Sequence, residues 1–358
     1  MSLRRSPAAS IAAAALAVAL SGPAPAAQSK EDKNRQVKLD QAQQLQMQAL
    51  VSLVDGVMGG QPPPADIPVT WHHDFLKALD QKTYVPFTLS LDPAQGPLPL
   101  TVYLRVAPSG MTAPPPPPKD KKDPNAAAPF PFEDAYFLEA RPAAAGEAPR
   151  ISRAFAVPAG TYDVYVALRE RSAGAAEKTS GGTPAGGKTT VLKQQITVPD
   201  FWNGDLSTSS IILAERVEPA KEALSKEQQA ERPYTLGNTV IVPAIDQTFT
   251  KKEELSILFL IYNPALGEDK KPNVVAEYAF HQKTADAEKY FNKTAPQEFN
   301  AGTLPPQFDF AAGHQLVAGQ SIPLGSFPEG DYRLEIKVTD KNANKTVTRN
   351  VNFTVSGA

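Results

Sequence analysis

The chain has no cysteine in its 358 residues. That excludes disulfide staples and thiol catalysis, and no lipid-on-cysteine anchor is expected. Histidine and methionine occur four times each and tryptophan twice, so metal ligands and large aromatic platforms are scarce. No apolar run reaches the roughly 18 residues that span a bilayer as a helix. Charge of one sign is also lacking. The 36 Lys and Arg nearly balance the 38 Asp and Glu and are mixed along the chain, so no basic field is expected to recruit nucleic acid.

Proline and glycine are abundant instead, at 35 and 22 residues. Clustered between short apolar segments, they fit an all-β protein with long connections and disfavour a helical bundle. Apolar residues make 42% of the chain and charged residues 21%, ordinary globular material for about two domains. Residues 1–26 stand apart. Arg4 and Arg5 precede the apolar run Ala8 to Leu20, and Ala24-Pro25-Ala26 offers a small-residue cleavage site. This is the pattern of a secretory signal peptide. Ser6 and Pro7 argue against the twin-arginine route. The expectation is a periplasmic or secreted protein with no transmembrane helix after cleavage.

The chain says nearly the same thing twice. Pro158, Gly160, Tyr162, Val164, Val166 and Leu168 are echoed at constant offset by Pro328, Gly330, Tyr332, Leu334, Ile336 and Val338. A turn glycine, a tyrosine and apolar alternation mark the start of an inner strand. A tyrosine there can fill the core and return its hydroxyl to the preceding loop, the tyrosine corner of immunoglobulin-type sandwiches. The fold expected is two tandem immunoglobulin-like β-sandwiches behind an N-terminal helical arm. The arm and its linker take residues 27–82, with a stripe at Leu39, Ala42, Leu45, Ala49, Leu50, Leu53 and Val57, and a brief second helix at 74–81. Whether that stripe docks on the first sandwich or binds a partner stays open. The first sandwich takes residues 83–203 and the second 235–358. Between them, 204–234 reads as a connector with a short helix.

Two loops of the first sandwich are abnormal. One, 109–131, holds five prolines at 114–118 and a Lys-Asp run, and the other, 172–188, is mostly Gly, Ala, Ser and Thr. Taken as the second-to-third and sixth-to-seventh strand loops, they should project from one end as a shared contact surface. Gly182, Gly187, Lys188 and Thr189 match a phosphate-loop spacing, but Pro184 interrupts it and a strand pattern follows where a helix is required. His72 and His73 are adjacent and point apart on a strand. His281 and His314 read as surface and turn residues. No spacing marks a catalytic, cofactor or metal site, so none is assigned. Trp71, Trp202, Phe130 and Phe132 are the candidate contact surface for a protein or a sugar, with packing under a loop edge as the simpler account.

The corner motif, strand spacing and closing strand Val351 to Val355 resemble bacterial immunoglobulin-like or fibronectin-III-like modules. The stretch 200–214 is similar to connectors in secreted acidobacterial-type proteins of unassigned activity. The resemblance implies an exported, non-catalytic binding or scaffolding protein of the cell envelope. Its partner would be an unknown envelope or extracellular protein, or a polysaccharide. The alternatives are an accessory subunit of an extracellular enzyme and a hydrolase with an inter-domain site.

Overall fold

Apolar alternation at period two builds nearly every element. The computed structural model describes residues 41–93, 97–113, 129–142, 147–171, 187–220 and 225–357. The leader, the start of the arm and the hearts of both abnormal loops lie outside the described residues. Among the described residues no helix is long and apolar enough to cross a membrane. The chain divides into two units, with the break after Asp200 and the short stretch Ala230–Pro233 assigned to the first.

The first unit begins with helix α1, Gln41–Met58, followed by strands β1 (Val69–His73), β2 (Leu76–Lys77), β3 (Thr83–Leu91), β4 (Leu98–Pro108), β5 (Phe132–Ala140), β6 (Arg150–Val157), β7 (Gly160–Glu170) and β8 (Thr189–Val198). One sheet sets β3 between β6 and the successive edge strands β1 and β2, and the other runs β5-β4-β7-β8. Their inner faces meet through Val85, Phe87 and Leu89 against Leu100, Val102, Leu104, Val164 and Val166. The outer face of β4-β7-β8 is apolar too, and α1 covers it with Leu50, Val54, Val57 and Met58 on Tyr103, Ala107, Tyr165, Ala167 and Val191. Full burial of Leu50 and Val54 is worth about 1.5–3 kcal/mol each. The helix stops at Gly59 and Gly60, where φ is +97° at Gly60, a conformation that glycine adopts at no steric cost.

From Phe201 onward the chain forms β9 (Ser207–Thr208), β10 (Ile212–Pro219), α2 (Lys226–Glu231), β11 (Thr235–Leu236), β12 (Thr239–Pro243), β13 (Thr248–Thr250), β14 (Glu254–Tyr262), β15 (Val274–Lys283), β16 (Glu288–Lys293), β17 (Gln297–Phe299), β18 (Leu316–Pro323), β19 (Gly330–Asp340) and β20 (Lys345–Ser356), all in the second unit except the end of α2. One sheet is ordered β11-β12-β10-β14-β18 and the other β13-β20-β19-β15-β16. The topology is that of the first unit repeated: β10, β14, β15, β16, β18, β19 and β20 take the places of β1, β3, β4, β5, β6, β7 and β8. The chain is all-β, two sandwiches in tandem, and α1 forms the helical arm.

Four expectations change. Residues 74–81 form no helix; they carry β2 and a tight turn in which Asp80 and Gln81 both have φ near +55°, reversing the chain into β3. The first sandwich therefore starts at β1, ahead of residue 83, and 69–82 are not linker. The stretch 204–234 is not a plain connector either, because β10 is a full strand hydrogen-bonded between β12 and β14. Finally, the abnormal loops do not share an end. Pro108, where the proline-rich segment leaves β4, is paired with Tyr162 at the start of β7, while Glu170, where the glycine-rich segment leaves, is paired with Leu100. The two departures are at opposite ends of the β4–β7 ladder. Missing β1 shifted the strand count by one and turned a third-to-fourth strand loop into a second-to-third one.

Candidate functional site

Both tyrosine corners form. Tyr162 donates its hydroxyl to the carbonyl of Pro158 at 3.0 Å and Tyr332 donates to Pro328 at 2.7 Å. Gly160 and Gly330 have φ of +156° and +138°, and a Cβ at Gly160 would stand 3.3 Å from the Tyr162 hydroxyl. These residues hold structure; burial raises the pKa of both phenols and keeps them neutral donors.

Three of the four aromatic contact candidates are packed. Trp71 stacks on Phe87 at 4.5 Å between centroids, Phe132 lies in the inter-sheet core, and Phe130 is buried beneath α1. Phe130 and Phe132 are buried, and Trp71 is partly buried. Trp202 remains 40% exposed, and Tyr290, which no motif singled out, is 60% exposed.

The histidines are dispersed. His72 Nε2 lies 3.0 Å from Asp74 Oδ2, and His73 accepts at Nδ1 from the Trp71 indole at 2.7 Å. Burial lowers the His73 pKa, opposed by the charge of Asp74. His314 accepts from the backbone N–H of Asp309 within a turn. His281 lies on the outer face of β15, 3.9 Å from Glu288. Among the described residues no three His, Asp or Glu side chains converge as a metal-holding group. Lys188 leads into β8 and not into a helix, so the phosphate-loop spacing lacks its structural context. Asp340 accepts backbone N–H groups from Ala265, Asn342 and Ala343, the turn role expected of such residues.

The most buried ionic cluster was invisible in the sequence. Arg105 on β4 points outward, yet it is only 2% exposed because α1 lies over it. Its guanidinium donates to Asp55 of α1 and to Glu133 of β5, and its Nε donates to the Tyr103 hydroxyl at 2.8 Å. The Phe130 ring centroid lies 4.1 Å from the guanidinium carbon. Gln46 of α1 accepts from Thr101 at 2.8 Å in the same layer. Burial alone would lower the Arg105 pKa, but the bond to Asp55 and the charges around it carry it upward. Two carboxylates around one buried cation make this a docking lock for the helix.

A groove of about 560 Å³ lies on the outer face of β12-β10-β14-β18 in the second unit. Its origin is local. Outward positions 256 on β14 and 319 and 321 on β18 are small, Ser256 facing Ser321 and Gly319 facing Leu258, so the floor is low there while Leu258, Val217 and Ile241 stand beside it. Gly319 cannot be replaced freely, since its Cβ would meet the Ile257 carbonyl oxygen at 2.5 Å. Between Ala214 and Arg216 a bulge interrupts β10, increasing local twist. Four glutamates, 215, 218, 253 and 254, line the groove with a single arginine, Arg216. The sequence signal was present in part: β14 is apolar on both faces, and it proves to be a central strand between β10 and β18.

No protein-family model matches this chain, and no curated protein matches it. Among solved structures it is similar to a family 123 glycoside hydrolase from Clostridium perfringens, at 12% identity and a TM-score of 0.22, over 43% of this chain and 27% of that one. It is also similar to alpha-2-macroglobulin from Escherichia coli, trypsin-activated (14% identity, TM-score 0.21) and native (12%, 0.19). Those two likenesses cover 83% of this chain but 17% and 16% of the macroglobulin. The chain thus spans less than a third of each.

Proposed function

We propose that this chain is an exported, non-catalytic binding or scaffolding protein of the cell envelope that holds a protein partner in the groove of its second sandwich. The observation that carries the reading is the groove itself: an apolar floor, polar edges and a volume within the range of about 300–1,000 Å³ that ligand clefts occupy. Export rests on the leader pattern of residues 1–26. The two abnormal loops no longer support a joint contact surface, because their strand ends are at opposite ends of one ladder.

The test has two arms. N-terminal sequencing of the cell-envelope form should begin after Ala26; a chain retaining Arg4 and Arg5 in the cytoplasm overturns export. A partner cross-linked to the mature protein and then purified should bind the Ser321→Trp variant at least about tenfold more weakly, as expected when a central pocket is filled. Unchanged affinity, with an unchanged unfolding midpoint, overturns the groove.

A second reading, polysaccharide binding, is favoured by one observation. Tyr290 is largely exposed beside the polar outer face of β15-β19-β20 and stands edge-on to His281, 6.0 Å between centroids. Glycan-array binding lost in Tyr290→Ala and retained in Ser321→Trp would replace the first reading with this one.

A further inference from the structure

We infer that the groove's occupant is a cationic, apolar peptide segment that seats aliphatic side chains on the floor while Lys or Arg reaches the glutamate rim. This rests on the groove being a binding site, and it adds the chemistry of what is bound.

The charge around the groove decides the sign of the ligand. Arg216, the one cation lining it among the described residues, is already held by Glu218 at 3.0 Å. Glu254 accepts from the Ser321 hydroxyl at 2.6 Å through one carboxylate oxygen, and Glu253 accepts from the Thr250 backbone N–H. Both carboxylates are oriented by one oxygen, and a carboxylate has further acceptor sites to give. Lys251 and Lys252 sit on the turn before β14 but do not line the groove. An incoming cation meets a net negative rim, and an anion meets like charge, which costs specificity and slows encounter.

The shape decides between a peptide and a compact molecule. The groove is lined from β11, β12, β10, β14 and β18, four inter-strand steps of about 4.8 Å, so it spans roughly 19 Å across the strands. An extended chain rising about 3.3 Å per residue covers that in roughly six residues. The groove also reaches β18, which among the described residues pairs within the sheet with β14 alone, so a chain can leave it over the sheet edge. Alternating Leu and Lys meets both floor and rim, since alternate side chains of an extended strand point to opposite sides and diagonal neighbours stay within reach of long side chains.

The experiment is calorimetric titration of the mature chain with two synthetic eight-residue peptides, one alternating Leu and Lys and the other Leu and Glu. The Lys peptide should bind, weaken as salt rises, and perturb backbone NMR signals at Ser256, Leu258 and Gly319. Glu253→Lys with Glu254→Lys should weaken it by about tenfold or more, and Ser321→Trp should abolish it. Equal binding of both peptides, or salt-independent binding, overturns the cationic ligand. If the purified envelope partner is lost in Ser321→Trp yet unaffected by charge reversal, the groove stands and this inference falls. If signals shift elsewhere and neither variant matters, both fall. Should the double reversal fail to fold, the contrast between the two peptides on the unmodified chain still decides the outcome.

Discussion

Tyr165 on β7 and Glu335 on β19 occupy the same place in two copies of one topology, and their surroundings are opposite. Tyr165 is fully buried under α1, with Ala167 beside it. Glu335 lies 2.9 Å from Arg333, which is also clamped by Glu288, and Lys337 follows it with its side chain half exposed. The inner faces of the two strands are alike, Tyr162, Val164, Val166 and Leu168 against Tyr332, Leu334, Ile336 and Val338. The difference lies in the intervening residues. A strand with one buried face alternates, and a strand covered on both faces reads as a nearly continuous apolar run. The repeat therefore specifies a sandwich twice, and the residues between its conserved-looking positions specify whether a third layer is added.

Exchanging the intervening residues breaks this comparison most directly. Tyr165→Glu places a carboxylate beneath α1 and should cost about 3–5 kcal/mol, the range for an uncompensated buried charge, read as a fall in the urea midpoint. A loss below about 1 kcal/mol would mean that the helix does not cover that face in solution. The corner tyrosines come next. Tyr162→Phe and Tyr332→Phe each remove one hydrogen bond and should each cost about 1 kcal/mol, with similar values at the two sites. A large inequality would deny the two corners a common role.

A smaller effect is expected from acid. Burial holds the His73 pKa below its ordinary 6.5, so between the two values the unfolded chain binds the proton and the folded one does not. Stability then rises with pH across that window and falls as pH drops below about 6.5. His73→Phe should flatten this slope in pH-dependent melting of the protein, and an unchanged slope would assign the dependence to another group. The reciprocal exchange, Glu335→Tyr, should be the mildest. On an open face it should stay within about 0.5 kcal/mol of the starting protein, again by urea titration.

Much of the fold was legible because period-two alternation is local. The closing strand 351–355 lies within β20, β7 and β19 start at the glycines of the corner motif, and that motif led to its two hydrogen bonds. β1 and β2 were not legible. Val69-Thr70-Trp71-His72-His73 is half-buried except at the exposed Thr70, and the next eight residues contain neither glycine nor proline, so nothing local marks the turn at Asp80 and Gln81. That one omission misplaced the proline-rich loop. The buried stripe of α1 was also rotated. Gln46 and Asp55 face the sheet because Thr101 and Arg105 wait there to bond them, and polar residues with distant partners do not announce themselves as core. The burial of Phe130 and Phe132 was hidden for the same reason, since whether such a ring is covered depends on elements remote in the chain.

By itself, the order of residues determined an all-β chain built on a duplicated strand with a tyrosine at each bend, because alternation and turn chemistry act over a few neighbouring positions. Only the tertiary structure decided that α1 closes one sheet face over Arg105, that the long loops depart from opposite ends of their sheet, and that Ser256, Gly319 and Ser321 leave a groove ringed by glutamates. Each of these is a meeting of residues far apart in sequence, brought together by strand register and packing, and no local pattern encodes which distant surface will cover a given side chain.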